Sequence, residues 1–318
     1  MDDSQTNWVR RFSWLIGSIL PFVVLIVIGC TTANGMPTIT PEPIVPTRTP
    51  AAQTASLATE TPAPPSSPTP EMPVIPTLSA ERAEALSRVG LAGALADVAS
   101  SAALGLRSGH FTFWRTWDEL PAVPDLTTWQ TVRLGQLEEN MRWPANREVV
   151  ARTLAAHPGS FWLIGNEPDV IWQDNATPEE YARAYHEIYA FIKERDPSAR
   201  VGAGGIALPT PLRLAYLDEV LRIYRETYDE ELPADLWSIH LFILREERGS
   251  WGIDIPPGMD AISGELYEIE DHGNIELVKQ YVAAFRGWMA ANGYADKPLA
   301  VTEFGILLPE DYGFPPEF

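Results

Sequence analysis

From residue 88 onward the chain alternates between two hydrophobic patterns. Short apolar runs at 88–93, 110–114, 131–134, 161–165, 200–205, 236–240 and 298–302 read as buried strands. Between the later ones lie longer segments in which apolar residues recur every three or four positions. These are "NREVVARTLAAH", "TPEEYARAYHEIYAFIKERD", "TPLRLAYLDEVLRIYRETY" and "NIELVKQYVAAFRGWMAANG", and each predicts a helix. The second opens with a capping box: Thr177 at the N-cap, Pro178 in the first turn and Glu180 at the third helical position. Strand and helix in strict alternation predict an α/β fold with a parallel sheet and right-handed crossovers.

Seven strands with helices between them suit a (β/α)8 TIM barrel better than an open doubly wound sheet. No glycine-rich phosphate loop follows the first strand, and "VGAGG" at 201–205 lacks the GxGxxG spacing. That stretch reads as a fifth strand whose small residues permit close packing. The eighth strand and helix are missing, because "PEDYGFPPEF" has neither pattern, so the barrel is expected to be incomplete and the sequence truncated.

The amino-terminal residues differ in kind. Arg10 and Arg11 precede an uncharged apolar run from 12 to 29 that ends in Val27-Ile28-Gly29-Cys30. This resembles a bacterial lipoprotein cleavage box with Cys30 as the lipidated residue; an uncleaved membrane anchor is the alternative. Residues 31–78 are rich in Pro and Thr and contain no aromatic residue, so they read as a disordered linker. The expected organisation is therefore an export or anchor segment (1–30), a stalk (31–78) and one folded domain (79–318). That domain would be held at the cell surface outside the cytoplasmic membrane, as a monomer. A net charge of −20 argues against a nucleic-acid partner. Cys30 is the one cysteine, so neither an internal disulfide nor a thiolate metal cluster is available.

In a barrel of this kind chemistry gathers at the carboxyl ends of the strands. Two acids stand there: Glu167, in "WLIGNEPDV" after the fourth strand, and Glu303, in "AVTEFG" after the seventh. Pro168 disfavours helical angles at Glu167 and predicts an extended residue at the strand tip. Two carboxyl groups across a cleft are what glycoside hydrolysis requires. Asn166 is placed to hold a sugar 2-hydroxyl, and His240, ending the sixth strand, to hydrogen-bond Glu303 or the sugar. Arg115 after the second strand, with Arg133 as competitor, is placed to keep Glu303 ionised. Glu167 would need a raised pKa to donate a proton. Of 11 tryptophans, Trp172 and Trp251 lie in loops suited to stacking on a sugar, whereas Trp288 falls on the apolar face of a helix and reads as core. Asp169, Asp174 and Asn175 lack the EF-hand spacing, so neither a metal nor any other cofactor is expected. No GxSxG elbow is present.

Asn-Glu-Pro after the fourth strand, His after the sixth and Thr-Glu-Phe-Gly after the seventh together resemble the clan A retaining glycoside hydrolases, the superfamily of cellulases, mannanases, xylanases and β-xylosidases. The resemblance covers roughly residues 79–318. It implies a (β/α)8 barrel acting on a polysaccharide or oligosaccharide, with Glu167 as acid/base, Glu303 as nucleophile and Asn166 as the 2-hydroxyl ligand. Two features depart from it. Phe242 stands where the clan often has a Tyr, and the clan's eighth-strand Trp is not in this sequence. A non-catalytic carbohydrate-binding or cell-wall protein on the same scaffold is the alternative reading.

Overall fold

The computed structural model describes residues 88–94, 97–98, 110–117, 119–120 and 127–308. The residues read as an export or anchor segment (1–30, with Cys30) and as a linker (31–78) lie outside the described residues. Among the described residues no helix is long and apolar enough to cross a membrane.

Seven strands form one parallel sheet in sequential order: β1 (Gly90–Ala92), β2 (His110–Thr112), β3 (Thr127–Val132), β4 (Phe161–Ile164), β5 (Arg200–Ile206), β6 (Leu236–Leu241) and β7 (Leu299–Phe304). Four α-helices connect the later strands: α1 (Arg147–Ala156), α2 (Pro178–Arg195), α3 (Pro211–Tyr228) and α4 (Ile275–Ala291). The capping box forms as expected, with the Glu180 amide donating to Thr177 Oγ1 and the Thr177 amide to Glu180 Oε2. The strand whose start the pattern misplaces most is β3. It begins four residues earlier than expected, because Thr127 and Thr128 enter the ladder through backbone bonds that a polar pair does not advertise.

Side chains alternate across the sheet as period two demands. On β4, Phe161 and Leu163 face inward with Trp129, Leu236 and Ala300. Trp162 and Ile164 face outward into the large core shared with the helices. On the outer side of β6, Trp237 meets Trp288 edge-on at 4.9 Å between centroids, which makes Trp288 core. The sheet curls into a barrel wall. Trp114, just past β2, packs edge-on against His240 of β6 at 6.1 Å between centroids. Four strand spacings in a flat sheet would separate those strands by about 19 Å. Among the described residues β7 pairs only with β6, so the barrel is incomplete between β7 and β1. Val301 and Phe304 of β7 are correspondingly exposed, Phe304 by 70%.

Candidate active site

Two irregularities of the sheet set the site. Along β6 and β7, Ile239 pairs with Val301, but His240 pairs with Glu303, so Thr302 is an extra residue in β7. Without that bulge, strict alternation would send Glu303 to the face shared by Val301 and Leu299, which is the outer one. The extra residue turns the carboxylate back into the mouth, a known use of bulges at barrel rims. On the other side of β6 the register shifts again between Ala203 and Ile206, at Gly204-Gly205. A Cβ at Gly205 would lie 2.6 Å from His240 Cδ2 and 2.7 Å from its Nε2, so only glycine leaves room for the imidazole. Gly205→Ala is expected to destabilise the protein by about 1–2 kcal/mol through overpacking. It should also displace His240. Calorimetry together with the turnover rate checks this, and an unchanged melting temperature would count against it.

Glu167 sits in a turn held from several sides. Its amide donates to Gly205 O at 2.9 Å, and its carbonyl accepts from Val170 N at 3.1 Å. The Asn166 amide donates to Asp174 Oδ2 at 2.7 Å, while Asp174 Oδ1 accepts from Arg133 Nε at 2.7 Å and from Gly135 N at 3.1 Å. One aspartate thus joins the tips of β3 and β4. Asp169 and Asp174 serve as such fasteners. The extended backbone expected for Glu167 is not found: its φ is +45°, in the left-handed region. Pro168 disfavours the right-handed helical region but leaves this one open, and the surrounding bonds hold the acid there against a conformational cost of order 1–3 kcal/mol.

His240 lies between the two acids. Its Nδ1 is hydrogen-bonded with Glu167 Oε1 at 2.8 Å, and its Nε2 stands 3.5 Å from Glu303 Oε1 with no hydrogen-bond partner. One oxygen of each carboxylate and a ring nitrogen of His240 all lie within 4.8 Å of one another. Such a trio of groups could also hold a metal ion, but the bulk of its contacts are already those of an acid pair bridged by a histidine.

The electrostatics revise one expectation. Glu303 was expected to stay ionised; instead its carboxyl is pushed up to about 7. Loss of water is the largest cause, and the nearby Glu167 charge adds to it; His240 and Arg133 oppose both and do not prevail. The side chain keeps 27% of its surface open to the mouth, yet dense surroundings still strip water from the charge. Burial works against a charged His240, but the carboxylates of Glu303, Glu167 and Asp169 outweigh it and leave the ring raised.

Arg115 does not perform the task expected of it. Its guanidinium stacks over Trp117 at 3.5 Å and its Nη1 donates to Met141 Sδ at 2.9 Å. Arg133 is the arginine that acts on Glu303, because the end of β3 rather than the loop after β2 points into the mouth. Asn166 is buried beside Glu167. Trp172 packs on the main core, and Trp251 lies against His272 at 6.0 Å and under Arg245 at 5.9 Å. Phe242 is buried edge-on to His240 at 6.2 Å. Trp114 meets the same histidine edge-on at 6.1 Å, and its one signal in the sequence is its place at the end of the second apolar run.

No protein-family model matches the chain, and no curated protein does. Several solved structures resemble it. A GH128 (subgroup III) curdlan-specific exo-β-1,3-glucanase from Blastomyces gilchristii, in complex with glucose, is 19% identical with a TM-score of 0.48, over 70% of this chain and 77% of that one. A GH128 (subgroup II) endo-β-1,3-glucanase from Pseudomonas viridiflava is 16% identical with a TM-score of 0.45, over 71% and 73%. A GH128 (subgroup I) endo-β-1,3-glucanase from Amycolatopsis mediterranei, in complex with laminaritriose, is 14% identical with a TM-score of 0.44, over 71% and 73%. At these similarities the barrel rests on its own strand pairing and the site on its own geometry.

Proposed function

We propose that the domain is a retaining glycoside hydrolase of the clan A type, acting on β-linked glycans. The observation that carries the proposal is the acid pair: carboxylate oxygens of Glu167 and Glu303 within 4.8 Å, at the carboxyl ends of β4 and β7. Retaining enzymes hold their two carboxyls about 5–5.5 Å apart, whereas inverting ones need roughly 6.5–9.5 Å to admit a water. The spacing favours double displacement.

In this reading Glu303, once ionised, attacks the anomeric carbon while Glu167 passes its proton to the departing glycosidic oxygen. The glycosyl ester on Glu303 is then opened by a water whose proton Glu167 takes. His240 orients Glu167 through Nδ1 and presents Nε2 to Glu303. Arg133, fixed by Asp174, faces the charge that Glu303 carries after losing its proton. Asn166 holds the sugar 2-hydroxyl, and Trp114 offers an aromatic wall beside His240. Double displacement by two carboxyls needs no metal or cofactor.

The proposal includes export, with lipidation of Cys30 and residues 31–78 as the stalk; this part rests on the sequence alone, and the mass of the mature amino terminus tests it. For the hydrolase, the test is product analysis over a panel of β-1,3- and β-1,4-linked glucan, xylan and mannan oligosaccharides. The expected result is cleavage of at least one linkage, with the β configuration kept in the first-formed product by NMR. A first product of α configuration would overturn the retaining mechanism. Binding without cleavage across the panel would overturn the hydrolase and leave a glycan-binding protein.

A further inference from the structure

The mechanism above leaves one buried ionic cluster unused. Arg213, in the first turn of α3, is fully buried, as are the side chains of its partners Asp169 and Glu246. Its Nη1 donates to the Asp169 carbonyl at 2.7 Å and to Asp169 Oδ2 at 2.6 Å. Its Nε donates to Glu246 Oε1 at 2.8 Å, and its Nη2 to the Asp254 carbonyl at 2.8 Å. Glu246 is held in turn by Thr210 Oγ1, the N-cap of α3, at 2.9 Å and by the Glu265 amide at 3.0 Å. One guanidinium therefore joins three segments: the turn after β4, the start of α3 and the long loop after β6.

Several features make this an odd choice if packing were all that was needed. A cation in the first turn of a helix opposes the helix dipole. Two buried carboxylates share one guanidinium, leaving net negative charge away from water, and burial raises both Asp169 and Glu246 despite Arg213. An apolar trio of similar volume is commonly at least as stable as a buried ion cluster. What such a trio would not supply is a planar fork that fixes a main-chain carbonyl and a carboxylate at once. The residue so fixed lies two positions beyond Glu167, in the turn where Glu167 holds a left-handed backbone. A conformation of that kind persists only where its surroundings over-determine it.

We propose that Arg213 is a positioning residue for Glu167: by fastening Asp169 to α3 and to the loop beyond β6, it fixes the direction in which the acid/base points its proton. The inference rests on the hydrolase reading of the acid pair. It makes a demand that a purely structural staple does not. Proton donation matters for a poor leaving group such as a sugar hydroxyl, and little for one that departs without help. Misaiming Glu167 must therefore hurt one substrate and spare the other.

The experiment compares wild type with Arg213→Met and Arg213→Lys on two substrates. One is the pentasaccharide cleaved fastest in the panel above; the other is the 2,4-dinitrophenyl β-glycoside of its disaccharide. For Arg213→Met, kcat on the pentasaccharide is expected to fall by about 10²-fold, the loss typical of a misplacement near 1 Å. Bond cleavage in the dinitrophenyl glycoside, read as released phenolate in the pre-steady state, should change by less than about 5-fold, since general acid assistance contributes little there. Arg213→Lys keeps the charge but not the fork and should show the same split. Circular dichroism establishes that each variant is folded. If the Arg213 variants do not fold, Glu246→Gln, which keeps Arg213 and the shape of its partner, is expected to show the split at about 10-fold. Equal losses on both substrates in a folded variant, or no loss on either, overturn the positioning role while leaving the hydrolase standing. A wild type that cleaves neither substrate overturns the hydrolase reading, and this inference with it.

Discussion

Glu303→Ala is expected to lower kcat by roughly 10⁴–10⁶-fold, the range seen when a covalent nucleophile is removed. The structural reason is that among the described residues the other carboxylate within reach, Glu167, is already engaged by His240 Nδ1 at 2.8 Å. Azide turns the loss into a test of roles. With the nucleophile gone and an activated glycoside as substrate, azide enters the space vacated by the carboxylate and displaces the leaving group once, giving the α-glycosyl azide. In Glu167→Ala the nucleophile remains, the glycosyl ester forms, and azide opens it in a second displacement, giving the β-glycosyl azide. The opposite pairing of variants and products would exchange the two roles. The raised pKa of Glu303 is the physical basis for testing that exchange. Rates unchanged in both variants would remove the acid pair from the chemistry.

The second large effect is on stability and follows from the same carboxyl. Glu303 has a folded pKa of about 7 against an ordinary value of 4.5. The folded state therefore holds this proton more tightly than the unfolded chain does. Its contribution to stability is fully present below about pH 4.5 and is lost as pH rises through about 7, a change of about 3 kcal/mol at roughly 1.4 kcal/mol per pKa unit. Glu303→Gln has no such proton to lose. It also removes the negative charge that His240 faces through Nε2, and the raised His240 contributes with the same sign. Wild type and variant should match in denaturant unfolding near pH 4.5, and by pH 8 the variant should be the more stable by about 3 kcal/mol. Glu167 and Arg133, which also face Glu303, are unchanged in the comparison. Parallel stability curves across that range would show that Glu303 titrates as an ordinary carboxyl. In wild type, kcat/KM should rise as pH passes about 7, since attack requires the ionised form.

These two effects show the tension between stability and function in this site. Burial of the Glu303 carboxyl, with the charge of Glu167 beside it, works against the fold at neutral pH, and the same dry, close placement is what a double displacement needs. The folded framework carries that cost through the fasteners around it: Asp174 between β3 and β4, and Asp169, Arg213 and Glu246 between α3 and the loop after β6. None of these touches the anomeric centre in the proposed mechanism.

The strand–helix alternation could be read directly from the sequence. Each element's pattern is local: a four- to six-residue apolar run for a strand, a three-to-four repeat for a helix, and Thr177 with Glu180 for a helix start. Local geometry answers to local spacing, so four helices and most strand boundaries follow from it within a few residues. The placement of Glu167 and Glu303 at strand ends is equally local, and barrel curvature then brings them to one mouth. What no local pattern carries is register. The extra residue at Thr302 decides which way Glu303 faces, and it exists only through the pairing of β6 with β7. Arg133 rather than Arg115 serves Glu303, because two arginines eighteen positions apart differ only in which strand end holds them over the mouth. The left-handed backbone at Glu167 is likewise held by Gly205 of β5, Asp174 at the end of the same turn and Arg213 of α3. A single chain position can advertise its own chemistry, but the direction of a side chain and the pKa of a carboxyl depend on groups distant in sequence and near in space, and those only the tertiary structure brings together.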